Sequence, residues 1–308
     1  MTARAAARDR ARDRDRDRDR DRARRLAGEP LVAPEIGRVR FDLGKTLWLW
    51  GMAIPGLVVG IPAMTTTTLT VSLALAFLTL CVGHSVGLHR GIIHRTYEAH
   101  RMVRGALAYV GVLSGLGGPL SWARVHATRD LWQNRADCPR YFAYDHSLAR
   151  DFLWNLHLRF EPADDRADER LPPDVLSDRW LGFLERTWPL HVLLLSVGVL
   201  AVLGPGGVAV CICARTAASI VGHWFVGYAA HAWGEQRHVV AGAKESGTNV
   251  WLLGVLSFGE GFHNNHHAFP RSARMGMRRA ELDLGWLVIW TLERLGLVRA
   301  VTAWHRVG

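Results

Sequence analysis

The sequence predicts an all-α integral membrane protein with four transmembrane helices arranged as two hairpins. Three observations lead there: four long apolar runs, their grouping into two close pairs, and an uneven distribution of arginine around them. Residues 46–64 (TLWLWGMAIPGLVVGIPAM), 68–88 (TLTVSLALAFLTLCVGHSVGL), 187–203 and most of 206–230 are each long enough to cross about 30 Å of hydrocarbon. A soluble protein can hide one such run as a buried helix. Four of them in tight pairs need a larger core than 308 residues at 49% hydrophobic content supply.

The segments around these spans complete the organisation. Residues 1–25 hold eleven Arg and six Asp, mostly as an RDRDRD alternation, and carry about half of the formal charge of +10. A run of this kind has nothing to bury, so residues 1–40 are expected to be a disordered, solvated tail. Its interleaved aspartates and lack of aromatic residues argue against nucleic-acid binding. The start of the chain is polar and highly charged, unlike the apolar stretch of a signal peptide. Within the hairpins the turns TTT (65–67) and GPGG (204–207) are uncharged, whereas the N-terminal segment, the 89–186 connection and the last third are arginine-rich. The positive-inside rule then places both termini and the long connection in the cytoplasm. The cysteines at 81, 138, 211 and 213 form no CxxC pair and indicate neither a disulfide framework nor a zinc ribbon.

Many of the fifteen histidines fall at the ends of the apolar spans. In HNNHH, spacings of three and four put His263, His266 and His267 on one face of a helix, where three imidazoles have no packing rationale and are expected to share in caging a metal. In HRGIIH, His89 and His94 follow the second span. On an α-helix an offset of five separates them by about 140°, so they hold two different ions across a gap or simply sit on opposite sides. His223, Gly227 and His231 fall at intervals of four along the last span; a ligand role is favoured for His231 and less clearly for His223, because an unpaired imidazole in a bilayer is costly. Arg215, deep in the same run, must snorkel, pair or line a polar cavity. In SWARVHATRD, His126, Arg129 and Asp130 repeat the three-and-four spacing of 263–267, but arginine cannot ligate a metal and aspartate can.

On these motifs the chain resembles the membrane fatty acid desaturases of the acyl-CoA desaturase type. Their first box, HxxxxH, is met by HRGIIH and their last, HxxHH, by GEGFHNNHHAFPRSAR. Arg215, Trp224 and the AAH that ends at His231 follow their pattern, as do ELDLGW at 281–286 and the LERLGL after it. The resemblance covers roughly residues 45 to 300. It implies a mushroom-like, multi-pass membrane protein whose cytoplasmic helical cap holds two irons. Dioxygen is the implied oxidant, and the substrate is a fatty acyl chain, as acyl-CoA or acyl-lipid, lying in an apolar tunnel. Electrons come from a separate donor such as a ferredoxin or a cytochrome. By motif position it implies His89, His94, His126, His231, His263, His266 and His267 as metal ligands.

Two positions depart from the family pattern. The middle box, HRxHH, reads HATRD here, with Arg129 and Asp130 in place of two histidines, and the asparagine four residues before His231 is Gly227. Asp130 is expected to ligate metal in its histidine's place, giving a mixed site of two irons, or of one if Arg129 and Gly227 remove a position. His223 reaches into the space left by the missing asparagine, or is merely packed. The expected organisation is a tail (1–40), a desaturase-like membrane domain (41–300) and a short C-terminal end (301–308). A hydroxylase or epoxidase on the same scaffold, or a non-catalytic metal- or lipid-binding relative, are the alternatives. Arg271, Arg274, Arg278 and Arg279 form a solvated or lipid-facing stretch, or bind a phosphorylated headgroup.

Overall fold

Backbone groups in hydrocarbon must be paired within their own segment, and the apolar runs accordingly fold as helix. The computed structural model describes residues 30–163 and 171–304. In chain order the main helices are α1 (Leu43–Gly60), α2 (Thr66–Ile93), α3 (Arg101–Val112), α4 (Pro119–Gln133), α5 (Leu148–His157), α6 (Arg179–Ala232), α7 (Trp251–Leu256), α8 (His263–Ala268) and α9 (Leu284–Arg294). Among the described residues three of them, α1, α2 and the 54-residue α6, are long and apolar enough to cross a membrane. They carry bare apolar surface that water would not tolerate: Leu57, Val58, Leu73, Leu193 and Val202 are all more than half exposed.

Local chemistry sets the helix ends. The Asp42 carboxylate accepts from Lys45 N at 2.9 Å to open α1. Thr65 and Thr68 form a reciprocal capping box, so the TTT expected as a turn instead starts α2. Within α6 the helix breaks at Gly204 (φ 67°, ψ −172°), a conformation in which a side chain is strained, and Pro205 follows. Val192 and Val199 before the break share one buried cluster with Val210, Cys211 and Ile212 after it.

Helices α2 and α3 pack backbone to backbone, since a Cβ on Gly83 would lie 2.2 Å from the amide nitrogen of Gly111. Leu88, Ile92, Ala108, Val112, Leu120 and Leu184 fill the core beside this contact. Arg215 is buried and pairs: it donates to the carbonyls of Cys211 (2.8 Å) and Leu113 (3.0 Å) and to Thr79 Oγ1 (3.0 Å). Its charge thereby ties α6 to α2 and to the end of α3.

Four short strands, β1 (Gly37–Phe41), β2 (Glu98–Ala99), β3 (Leu158–Pro162) and β4 (Val298–Arg299), make two antiparallel pairs, β1 with β3 and β2 with β4. The first pair runs in register from Gly37↔Pro162 to Phe41↔Leu158. This corrects the expected boundary of the tail at residue 40. Val32 is buried with Tyr141 and Phe142, and Leu31, Ile36 and Val39 pack on them, because the chain regains apolar residues once the charge run ends. The remaining tail residues, 1–29, lie outside the described residues.

Candidate metal centre

The end of α2 is wound as a π-helix from Phe77 to Ile93. Its bonds close five residues apart, as between the His94 N–H and the His89 carbonyl at 3.0 Å. Residues five apart therefore share a face. His89 and His94, which α-helical geometry would separate, come together with ring centroids 4.7 Å apart. The segment that carries HNNHH is fixed by side-chain amides. Asn264 Oδ1 accepts from Arg237 N (2.7 Å) and His238 N (2.8 Å), and Asn265 Nδ2 donates to the Met275 carbonyl (2.7 Å). The two asparagines of HNNHH thus hold the loops around α8 while its three histidines turn the other way.

Seven histidines converge in two groups. His89, His94, His126 and His266 form one, His231, His263 and His267 the other, and in each group one ring nitrogen per residue lies within 4.8 Å of the others. His94 and His126 bring their Nε2 atoms to 3.2 Å. The helix α8 feeds both groups, His266 the first and the i, i+4 pair His263 and His267 the second, so its three imidazoles serve two positions rather than one. His89 Nε2, His231 Nε2 and His266 Nδ1 are buried without any hydrogen-bond partner. Burial, together with the neighbouring rings, pulls His263 and His266 well below the ordinary imidazole range, and burial brings His267 down to about 4. Neutral imidazoles with orphaned nitrogens aimed at one another fit a divalent cation in each group.

Carboxylates stand behind the first group. Glu260 accepts from His89 Nδ1 at 2.7 Å, and Asp130 from His126 Nδ1 at 3.0 Å. Burial alone would raise both carboxyls, but His89 and Arg90 beside Glu260, and His126 beside Asp130, hold them well below the usual carboxylate range. Arg90, fully buried, joins Glu260 (3.4 Å) to Asp283 (3.0 Å) and donates to the carbonyls of Ala273 and Phe258. Asp283 in turn accepts from Trp286 N at 2.8 Å and caps α9, which gives the ELDLGW segment a structural role. A cavity of about 620 Å³ opens on the centre, and its lining includes His94, Asp130, His266 and His267 together with Arg95 and Arg271.

The fatty acid desaturase family model matches residues 64–290, a span that contains all seven histidines. The chain belongs to the fatty acid desaturase family. As a member it is an oxidoreductase of the fatty acid desaturase type. It is similar to the sn-1 stearoyl-lipid 9-desaturase of Anabaena variabilis, with 30% identity over 83% of this chain and 92% of that protein. The sn-2 palmitoyl-lipid 9-desaturase of Nostoc sp. (strain 36) is 28% identical over 72% of this chain and 77% of its own length. An acyl-CoA 5-desaturase of Anemone leveillei is 29% identical over 71% and 67%.

Where this desaturase departs from the family's motifs, the structure shows what fills the space. Arg129 donates to the Tyr144 hydroxyl at 3.1 Å and to Asn155 Oδ1. Tyr144 stacks on His231 with centroids 4.1 Å apart and planes 17° from parallel, and a Cβ placed on Gly227 would meet its hydroxyl at 3.5 Å. Tyr144, not His223, therefore occupies the place opened by Gly227. His223 packs instead against His84 and Trp122, at 5.0 and 5.7 Å. Sequence reasoning missed Glu260 as a partner of His89, although it stands three residues ahead of His263, and missed Tyr144, for which no spacing signal exists. Of the arginines at 271–279, Arg278 pairs with Glu235 at 3.2 Å and Arg274 donates to the Gly276 carbonyl, so these two brace the chain's own loops.

Proposed function

We propose that the chain introduces a double bond into a fatty acyl chain at the membrane surface, using dioxygen and one iron held by each histidine group. What carries this reading is the convergence of seven motif imidazoles into two groups whose buried inner nitrogens lack protein partners, in a chain of this family. When bound, the iron supplies the reduction of dioxygen and the oxidation of two acyl C–H bonds. The protein's own part is to hold, orient and dry the centre. His89, His94, His126 and His266 hold one position and His231, His263 and His267 the other. Glu260 and Asp130 fix the tautomers of His89 and His126, each presenting Nε2 to the metal. Asp130 thus acts on the metal through His126, the side chain whose Nδ1 it contacts.

Four crossings of the membrane follow if α6 is counted as two, a reading supported by the break at Gly204 and by the buried cluster its two arms share. The arginine asymmetry supports placing both termini and the 89–186 connection in the cytoplasm, with the helical cap and the metal centre on that side. Electrons come from a separate carrier, a ferredoxin or a cytochrome, and the relatives' names point to an acyl-lipid or acyl-CoA substrate. Expression in cells whose acyl chains are saturated, followed by mass spectrometry that locates double bonds, tests the reading. New double bonds with the parent chain and none with His266→Ala are expected. An unchanged lipid profile from an iron-replete parent chain, with a reduced ferredoxin supplied, overturns it.

A further inference from the structure

The two histidine groups differ in more than number. The first has four imidazoles, of which His89 and His126 donate their outer nitrogens to the carboxylates of Glu260 and Asp130. An anionic acceptor raises the basicity of the ligating nitrogen and locks the ring. The second has three imidazoles, and His231 donates its Nδ1 only to the neutral carbonyl of Gly227, at 2.8 Å. One face of His231 is covered by Tyr144, whose hydroxyl lies 3.5 Å from where a Cβ on Gly227 would stand. Behind Tyr144 stands the guanidinium of Arg129, anchored by Tyr144 and by Asn155, which itself donates to Asp151 at 2.8 Å. A fixed cation one side chain removed from the ligand repels a dication and cannot relax away.

We propose that this chain holds its two metals with unequal strength, the His89–His94–His126–His266 position tightly and the His231–His263–His267 position exchangeably, and that Arg129 and Tyr144 set the difference. Resting on the two-metal reading above, the inference assigns Arg129 and Tyr144 a positioning role: they act through His231 and touch no metal themselves. One fewer imidazole, a neutral carbonyl in place of a carboxylate behind His231, and the nearby charge all weaken the same position. Outer-sphere partners alone change metal affinity by about 10- to 100-fold.

The test uses the full-length chain purified in detergent, loaded with Co²⁺ and challenged with increasing chelator, with metal per chain and the visible Co²⁺ spectrum followed together. Release is expected in two steps whose chelator midpoints differ by about 100-fold, with one metal per chain retained between them. His94→Ala should abolish the tight step and His263→Ala the weak one. The paired change Arg129→His with Gly227→Asn should raise the weak midpoint at least about tenfold and leave the tight one in place. Glu260→Gln, which preserves size, should lower only the tight midpoint, by about 10- to 100-fold. Release of two metals in one step overturns the inference while leaving the two-metal reading intact, and so does a paired variant with the parent's weak midpoint. Failure to bind Co²⁺ at all overturns the two-metal reading itself.

Discussion

The two halves of the metal centre are built from one residue type yet stand on different foundations. On the Glu260 side, the rings are braced by a buried chain of charge running from His89 through Glu260 and Arg90 to Asp283 and the start of α9. On the Arg129 side, the ring of His231 is braced by an aromatic face and a backbone carbonyl. Identical imidazoles need not make equivalent ligands, because the groups behind them decide basicity and local charge.

The largest effects expected from breaking this comparison come from the histidines themselves. His266→Ala and His263→Ala should each lower acyl oxidation by at least about 100-fold, since ligands of one centre act as a unit, and metal analysis should show them losing different metals. Equal metal loss in both variants would merge the two groups into one. Next comes Glu260→Gln, whose effect should exceed that of Asp130→Asn. Glu260 is tied to Arg90 and to His89, which is almost wholly buried, whereas the Asp130 side chain is 35% exposed and water can replace it behind His126. Parallel iron titrations of the two variants check the order, and a greater loss from Asp130→Asn would give Asp130 the direct ligand role that its motif position suggests. A smaller effect is expected from Tyr144→Phe, which keeps the stack on His231 and removes only the hydroxyl that receives Arg129. Thermal unfolding should show a loss of about 1 kcal/mol with the tight metal retained. Least of all, Gly204→Ala should cost about 1 kcal/mol or slightly more through its left-handed backbone and leave both metals bound. Loss of either metal there would mean that the break in α6 positions His231.

Much of this was legible in the residues. The apolar runs announced the long helices, and all seven histidines at motif spacing fall in the two groups. What spacing could not convey was which histidines go together. The π-winding of α2 brings His89 and His94 to one face, and α8 lies between the groups so that one short motif divides itself across both. Helix geometry read from the sequence presumes α-helical winding and one target per face, and neither held. Glu260 and Tyr144 were hidden for another reason. Each meets its histidine across a tertiary contact between distant segments, and local periodicity carries no record of such pairs. The asparagines of HNNHH make the same point from within a motif: they build loops while the neighbouring histidines join the two groups.

In the proposed reaction these two groups, loaded with iron, take hydrogens from an acyl chain and leave no oxygen behind. The direct measurement gives the iron-replete, full-length chain a saturated acyl substrate, reduced ferredoxin and ¹⁸O₂, and weighs the acyl product. A product lighter by two hydrogens, free of ¹⁸O, and absent with His266→Ala is expected. An acyl chain that carries ¹⁸O would make the protein a hydroxylase or epoxidase, and an unchanged substrate would contradict a catalytic role for the centre altogether.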